Sequence, residues 1–217
     1  MSTLRTVLDQ VASFINQDPS LVTGTDLTSQ VNFINLSQKE WADTYEWDQL
    51  RLSYSIPVTY SGTSVALPSN FKKLMSPVYD KSLTSSNKYE KISSSGRFTK
   101  SSSDKYIVRG GNDATGYYLL INPPMASGAS LVVDYQSHPS SAATVQDVMV
   151  CPSDAFLTAR TISKVLAARS DERFPTFKAE SDDILSNLIE DEAAFSGAQN
   201  NRTPDYFTKN NFIVGVD

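Results

Sequence analysis

Few side chains in this sequence are of the types that carry chemistry, and their spacing limits what that chemistry would be. The single histidine, His138, stands beside Pro139, and the single cysteine, Cys151, precedes Pro152-Ser153. A Ser-His-Asp or Cys-His device would have to use one of these two, and the spacing supplies neither with positioned partners. One Cys and one His cannot make a zinc site alone. Cys151 at a helix start could hold a thiolate, but burial as a small apolar residue suits a lone cysteine better. Carboxylates cluster at Asp182-Asp183 and Glu190-Asp191-Glu192, as a glycosidase or a cation site requires. Neighbours along a helix point in different directions, so these clusters read as a solvated face. Gly110-Gly111-Asn112-Asp113 has the glycine content of a phosphate loop. It lacks the Gly-Lys-Ser/Thr ending and the strand-to-helix setting, and reads as a hairpin turn. No catalytic, cofactor or metal site emerges, and the expectation is a protein that is not an enzyme.

The elements that would position such residues are bounded by composition. At 217 residues the chain can bury a core without staples. Only 20% of residues are charged against 40% hydrophobic, so the surface is largely Ser, Thr and Asn. The net charge of −5 and pI near 4.9 argue against a surface that grips nucleic-acid phosphates throughout. One cysteine excludes an intrachain disulfide. Met1-Ser2-Thr3-Leu4-Arg5 opens no signal-peptide apolar run, and no stretch approaches the roughly 18 apolar residues of a membrane span. A soluble chain made in a cytoplasm is expected.

Leu4, Val7, Leu8, Val11, Phe14 and Ile15 recur at helical spacing, with Ser2 or Thr3 as N-cap and Asp18-Pro19 as stop. A second helix, capped by Thr25 or Asp26, carries Leu27, Val31, Ile34, Trp41 and Tyr45 on its apolar stripe, with Asn35, Lys39, Asp43 and Glu46 facing away. From Leu50 the period becomes two: Leu50, Leu52, Tyr54, Ile56 and Val58 share one face of a half-buried strand. Pro57 directs its amide side to an edge. Tyr60-Ser61-Gly62-Thr63 predicts a tight hairpin into Val65-Ala66-Leu67. Leu67-Pro68-Ser69-Asn70-Phe71 turns the chain toward Pro77-Val78-Tyr79.

Ser-rich clusters around Ser85, Ser94 and Ser102 mark a connecting region, with short extended pieces at Tyr89-Ile92 and Phe98-Lys100. Tyr106-Val108 and Tyr117-Ile121 form a hairpin that Asn122-Pro123-Pro124 ends, and Leu131-Tyr135 is a strand stopped at His138-Pro139. With no helix between them, these strands predict an antiparallel meander. Pro152-Ser153-Asp154 starts a third helix running to about Arg169. A fourth carries Ile184, Leu185, Leu188, Ile189 and Phe195 and stops at Gly197. The expected fold is α+β: a bundle of about four helices with an inserted antiparallel β-domain and an extended C-terminal tail. The expected divisions are 1–49, 50–150, 151–197 and 198–217.

The tail sets Pro204, Tyr206, Phe207, Phe212, Ile213 and Val214 among polar residues. Isolated apolar anchors of this kind suit a segment that docks on a partner. A different class is a carbohydrate- or ligand-binding β-module with Tyr117, Tyr118 and Tyr135 as platform, although adjacent Tyr117 and Tyr118 point to opposite faces.

The order of an Asn-containing helix, a Trp47-Asp48 element, an alternating strand, Leu67-Pro68-x-x-Phe71 and Ser76-Pro77-Val78-Tyr79 resembles the head-tail adaptors of tailed bacteriophages, the group that includes tail tubular protein A-like neck components. The resemblance covers most of the chain as a pattern. It implies a structural protein of the virion neck, synthesised in the host cytoplasm, that forms a homo-oligomeric ring of about twelve copies below the portal. Its partners would be the portal ring, through Pro204 to Val214, a downstream tail or nozzle protein, and copies of itself. Double-stranded DNA would pass during packaging and ejection without sequence-specific binding, a negative lumen keeping it moving. No cofactor and no membrane are implied. A stopper or tail-completion protein of the same neck is the neighbouring alternative.

Overall fold

Thr3 opens the first helix, α1 (Leu4–Phe14), its Oγ1 accepting the Thr6 N–H at 3.4 Å. The computed structural model to which this helix belongs describes residues 2–15, 17, 22–56, 62–80, 89–92, 105–110, 116–125 and 131–200. The expectations for 57–61, 98–100, 111–113 and the tail, 198–217 beyond Asn200, lie outside the described residues. The chain divides into two compact units, one made of Met1–Tyr45 with Ser141–Asp217 and the other of Glu46–Ser140.

In the helical unit, α2 (Gly24–Thr44) begins one residue after Thr23, so Thr25 and Asp26 lie inside its first turn and do not cap it. α3 (Asp154–Ala168) starts as expected, with Ser153 Oγ accepting the Phe156 N–H at 3.1 Å. It ends at Ser170, whose φ of 55° places it in the left-handed region. There the Asp171 and Ser170 amides return to the Leu166 and Ala167 carbonyls at 2.9 and 3.1 Å. α4 (Phe174–Asn200) takes Pro175 into its first turn, where the missing N–H is no loss. It runs through Gly197 to Asn200, because one helical glycine costs only about 1 kcal/mol and needs a left-handed turn to act as a stop. α3 packs on all three other helices. Leu4, Val7, Leu8 and Val11 of α1, Ile34 and Trp41 of α2, and Phe156, Leu157, Ile162 and Val165 of α3 form its buried interior.

The stripe expected on α2 is incomplete. Gln30, Ser37 and Gln38 are buried on it, and Asn35, expected to face away, is half-buried. Gln30 meets Gln17, and Ser37 meets Thr161 of α3; Asn35 and Gln38 meet a segment between the β-strands and α3. Residues 141–150 run along α1 and α2, bonded by Leu4 N–H to Asp147 O (2.8 Å), Arg5 N–H to Val145 O (3.0 Å) and Met149 N–H to Ser2 O (2.9 Å). Asn35 meets the Ala142 backbone as a strand would, accepting its N–H at 2.8 Å and donating to its carbonyl at 2.9 Å. Gln38 Oε1 accepts the Val150 N–H at 2.8 Å. A segment without regular structure needs such partners for its backbone groups.

In the other unit a 3-10 turn at Asp48–Leu50 buries Trp47 and Leu50. It leads into β1 (Arg51–Ser55), then β2 (Gly62–Ala66), β3 (Phe71–Leu74), β4 (Tyr79–Asp80), β5 (Glu90–Lys91), β6 (Lys105–Gly110), β7 (Tyr117–Met125) and β8 (Leu131–Ser137). These form two four-stranded sheets. β8 is the centre of the first, pairing β1 on one side (Leu52 opposite Tyr135) and β3 and β4 on the other. The second has the order β2-β7-β6-β5. Among the described residues the fold is therefore mixed α+β with four helices and two small, mainly antiparallel sheets.

Three expectations for the strands are corrected. β1 and β2 do not form a hairpin, because β8, buried along both faces, draws β1 to itself while β2 pairs β7. The strands are not a meander, since β5 lies parallel to β6. Asn122-Pro123-Pro124 does not end β7, since pairing with β6 stops at Asn122 and the prolines follow the last of those bonds. The alternation read from Leu50 breaks at Leu52. Leu50 is buried but belongs to the 3-10 turn, Tyr54 is half-buried against the core and Ile56 is buried, whereas Leu52 is 42% exposed. The β6–β7 hairpin and the turn before Phe71, closed by Phe71 N–H to Pro68 O at 2.9 Å, form as expected. Ile56, Val65, Leu67, Phe71, Val78, Leu119, Ile121, Leu131 and Val133 close one core from both sheets.

Candidate functional site

The residues singled out for their chemistry are scattered. His138 is exposed, its backbone N–H donating to Asn70 O at 2.7 Å, and no hydrogen bond ties its imidazole to a hydroxyl or carboxylate among the described residues. Cys151 is fully buried, its Sγ 3.7 Å from the Ser153 carbonyl it donates to. Burial pushes its thiol up to about 12, against a smaller lowering by the Ser153 bond. Gly110 takes φ +115° at the β6–β7 turn, where a Cβ would stand 2.3 Å from the Gly116 carbonyl oxygen. Only glycine fits there. Asp183, Glu190 and Asp191 are exposed, as a solvated face requires. Among the described residues no group of three or more His, Cys, Asp or Glu could hold a metal ion.

The three tyrosines named for an aromatic platform differ in exposure. Tyr135 is 4% exposed, stacked on Phe71 at 5.7 Å, with its hydroxyl donating to Asn70 Oδ1 at 3.1 Å. Tyr118 is half-buried, and Tyr117 leans on Phe71 at 5.3 Å. Tyr135 and Tyr118 are drawn into packing, and Tyr117, 38% exposed, is the one of the three that faces solvent.

Asp182 departs from the solvated reading. It belongs to a chain of charges that joins α2, α3 and α4. Arg160 on α3 donates Nε to Glu40 at 2.7 Å and a terminal nitrogen to Asp182 at 2.8 Å; Lys178 reaches Asp182 at 2.8 Å, and Lys164 pairs with Glu40. Burial raises the Glu40 carboxyl, but the bonds from Lys164 and Arg160 outweigh it and hold the group below its usual range. Asp182 is lowered chiefly by its bond from Lys178. The signal in the sequence was Arg160 and Lys164, two like charges one turn apart on an otherwise apolar helix, which repel unless carboxylates meet them.

Surfaces that the described residues cover only in part lie on the same unit. The apolar stripe of α4 is only partly covered: Ile184, Leu185, Leu188 and Ile189 are half-buried, and Phe195 is 54% exposed. Ser181 is the one fully buried residue among those of α4 whose side chains are described. Near the other end of α4, a cleft of about 420 Å³ opens between α1, α3 and α4. Ala155, Ala159 and Ile162 line it from α3, Gln10 and Phe14 from α1, and Phe177 and Glu180 from α4. Phe14, 58% exposed, meets Phe177 edge-on at 6.1 Å. At the inner wall Thr158 donates to Gln10 Oε1 at 2.7 Å. The cleft was not legible in the sequence, because helical spacing marks Phe14 as a core residue and says nothing of where α4 departs from α1.

The tail residues Pro204, Tyr206, Phe207, Phe212, Ile213 and Val214 lie outside the described residues. Among the described residues no helix is long and apolar enough to cross a membrane. No protein-family model matches this chain, and no curated protein matches it.

Proposed function

We propose that this protein is a structural component of a tailed-phage virion, a head-tail adaptor that forms a ring below the portal and connects capsid to tail. The observation that carries the reading is the layout of the chain. Two helices, a β unit at 46–140, and two further helices completing the same helical unit precede a polar tail with aromatic anchors. That order matches what the sequence resemblance implies for an adaptor. The role is assembly: side-to-side contacts between copies form a closed ring, about twelve copies matching the portal, and the tail, through Pro204, Tyr206, Phe207, Phe212, Ile213 and Val214, holds the portal. A downstream tail or nozzle protein docks on the opposite end. With a net charge of −5 per copy, a ring presents a repelling lumen to passing double-stranded DNA.

Native mass spectrometry with the cognate portal ring tests this. The full-length chain is expected to bind in multiple copies, and a chain ending at Asn200 to lose that binding. Absence of binding by both forms would overturn the adaptor role and move the protein to a stopper or tail-completion position, or out of the particle.

A further inference from the structure

Residues 141–150, between β8 and α3, form a strap along α1 and α2 that is held chiefly through its backbone. Asn35 of α2 takes both backbone groups of Ala142, at 2.8 and 2.9 Å, and Gln38, one turn on, takes the Val150 N–H at 2.8 Å. From α1 come the Leu4 and Arg5 N–H groups, which a helix start leaves without a partner of its own; they donate to the Asp147 and Val145 carbonyls at 2.8 and 3.0 Å. Met149 N–H donates to Ser2 O at 2.9 Å. Apolar burial adds less: Ala142 and Met149 are the buried side chains of the strap, and Val148 is 56% exposed.

A second set of bonds lies within the strap. The Asp147 carboxylate accepts the Ala143 and Thr144 N–H groups at 2.7 and 2.9 Å and the Thr144 hydroxyl at 2.6 Å, and the Asp147 N–H returns to Thr144 O at 2.9 Å. These bonds are local and need no helix, so the turn keeps its shape when the strap lifts. A turn that stays intact couples the ties on either side of it. Beneath the strap the helices keep their own interior of Val7, Val11, Ile34, Trp41, Phe156 and Ile162. Lifting the strap therefore costs its hydrogen bonds and two buried side chains, whereas unfolding costs that whole interior, the condition for a segment to open by itself.

We propose that residues 141–150 are a latch that opens as one piece while α1 beyond its first turn, α2 and α3 stay folded, with Asn35 and Gln38 as its pins. Opening releases ten residues, up to about 35 Å of extended chain, into the connection from β8 to α3. The other connection of the β unit, at Tyr45–Glu46, keeps its length. The latch does not depend on the portal reading, because every group in it belongs to this chain.

Native-state amide exchange of the full-length protein, followed by NMR, tests it. The amides of Ala142, Met149, Val150, Leu4 and Arg5 report the latch, and those of Ile162, Val165 and Leu166 report α3. In the unaltered protein the five latch amides are expected to share one protection factor, at least tenfold below that of α3. Asn35→Ala removes two hydrogen bonds and is expected to speed all five together by about tenfold, Val150 included although it bonds to Gln38, with α3 unchanged. Asn35→Asp keeps the acceptor for the Ala142 N–H and loses the donor, and a smaller shared rise is expected; it also serves if the alanine variant fails to fold by circular dichroism. Acceleration of Ala142 alone would mean that each tie acts singly and would overturn the latch. Equal acceleration of α3, or latch amides as protected as α3 in the unaltered protein, would overturn it as well, since the strap would then open only with the whole unit.

Discussion

Cys151 shows how a residue that looks reactive in the sequence becomes inert through its surroundings. It stands three residues before α3, where a helix dipole favours a thiolate, yet its side chain has no solvent exposure. Burial outweighs the dipole and holds the thiol near 12. At pH 8 the native protein is therefore expected to resist a thiol reagent such as dithionitrobenzoate for hours and to react within seconds in urea. Rapid labelling of the native form would mean that the start of α3 opens. The same opposition of side chain and setting governs Asn35, whose amide reads as solvent-facing but serves as a one-residue strand for Ala142. Its role was hidden because the partner is a backbone more than a hundred residues away.

At the scale of elements, α4 is held differently from α3. α3 buries an apolar face against three helices, whereas α4 depends on a half-covered stripe and on the charges around Ser181. Arg160, 17% exposed, joins Glu40 to Asp182 and so links all three helices. Arg160→Met keeps much of the stem and removes the charge; a loss of about 2 kcal/mol is expected from hydrogen bonds to charged groups, reduced by the exposure of the two carboxylates. Urea unfolding at pH 7 measures it, and faster amide exchange in α4 than in α3 locates it. Both carboxyls are lowered in the fold, so their contribution is present above the ordinary values of 4.5 and 3.8 and is lost as pH falls below them. The unaltered protein is thus expected to lose more stability between pH 7 and pH 3 than Arg160→Met does, and equal losses would remove the clamp. Helices were legible because apolar spacing and caps such as Ser153 act locally. Strand partners were not, because β1 and β2 carry similar patterns and the choice between hairpin and separate sheets is made by β8, some eighty residues later in the chain.

For the molecule as a whole, the sequence revealed the order of helices, strands and helices, since each period change is local, but not how the strands divide. The β unit leaves and rejoins the helical unit through neighbouring strands: Arg51 of β1 faces Gln136 of β8, and Ser137 Oγ donates to the Leu50 carbonyl at 3.1 Å. An insertion whose first and last strands pair has its ends fixed by its own hydrogen bonds rather than by its host. Its core draws Val65, Leu119 and Ile121 from one sheet and Phe71, Leu131, Val133 and Tyr135 from the other, so the two sheets satisfy each other within the unit. A fragment spanning Glu46–Ser140 is also of a size that folds without disulfides or metals. It is therefore expected to fold alone, with a strand-rich far-UV spectrum, dispersed amide resonances and one cooperative thermal transition. The Phe71–Tyr135 stack makes Phe71→Ala the control, expected to cost about 3–5 kcal/mol and to abolish the transition in the fragment. A fragment with collapsed resonances and no transition would overturn the independence of the β unit.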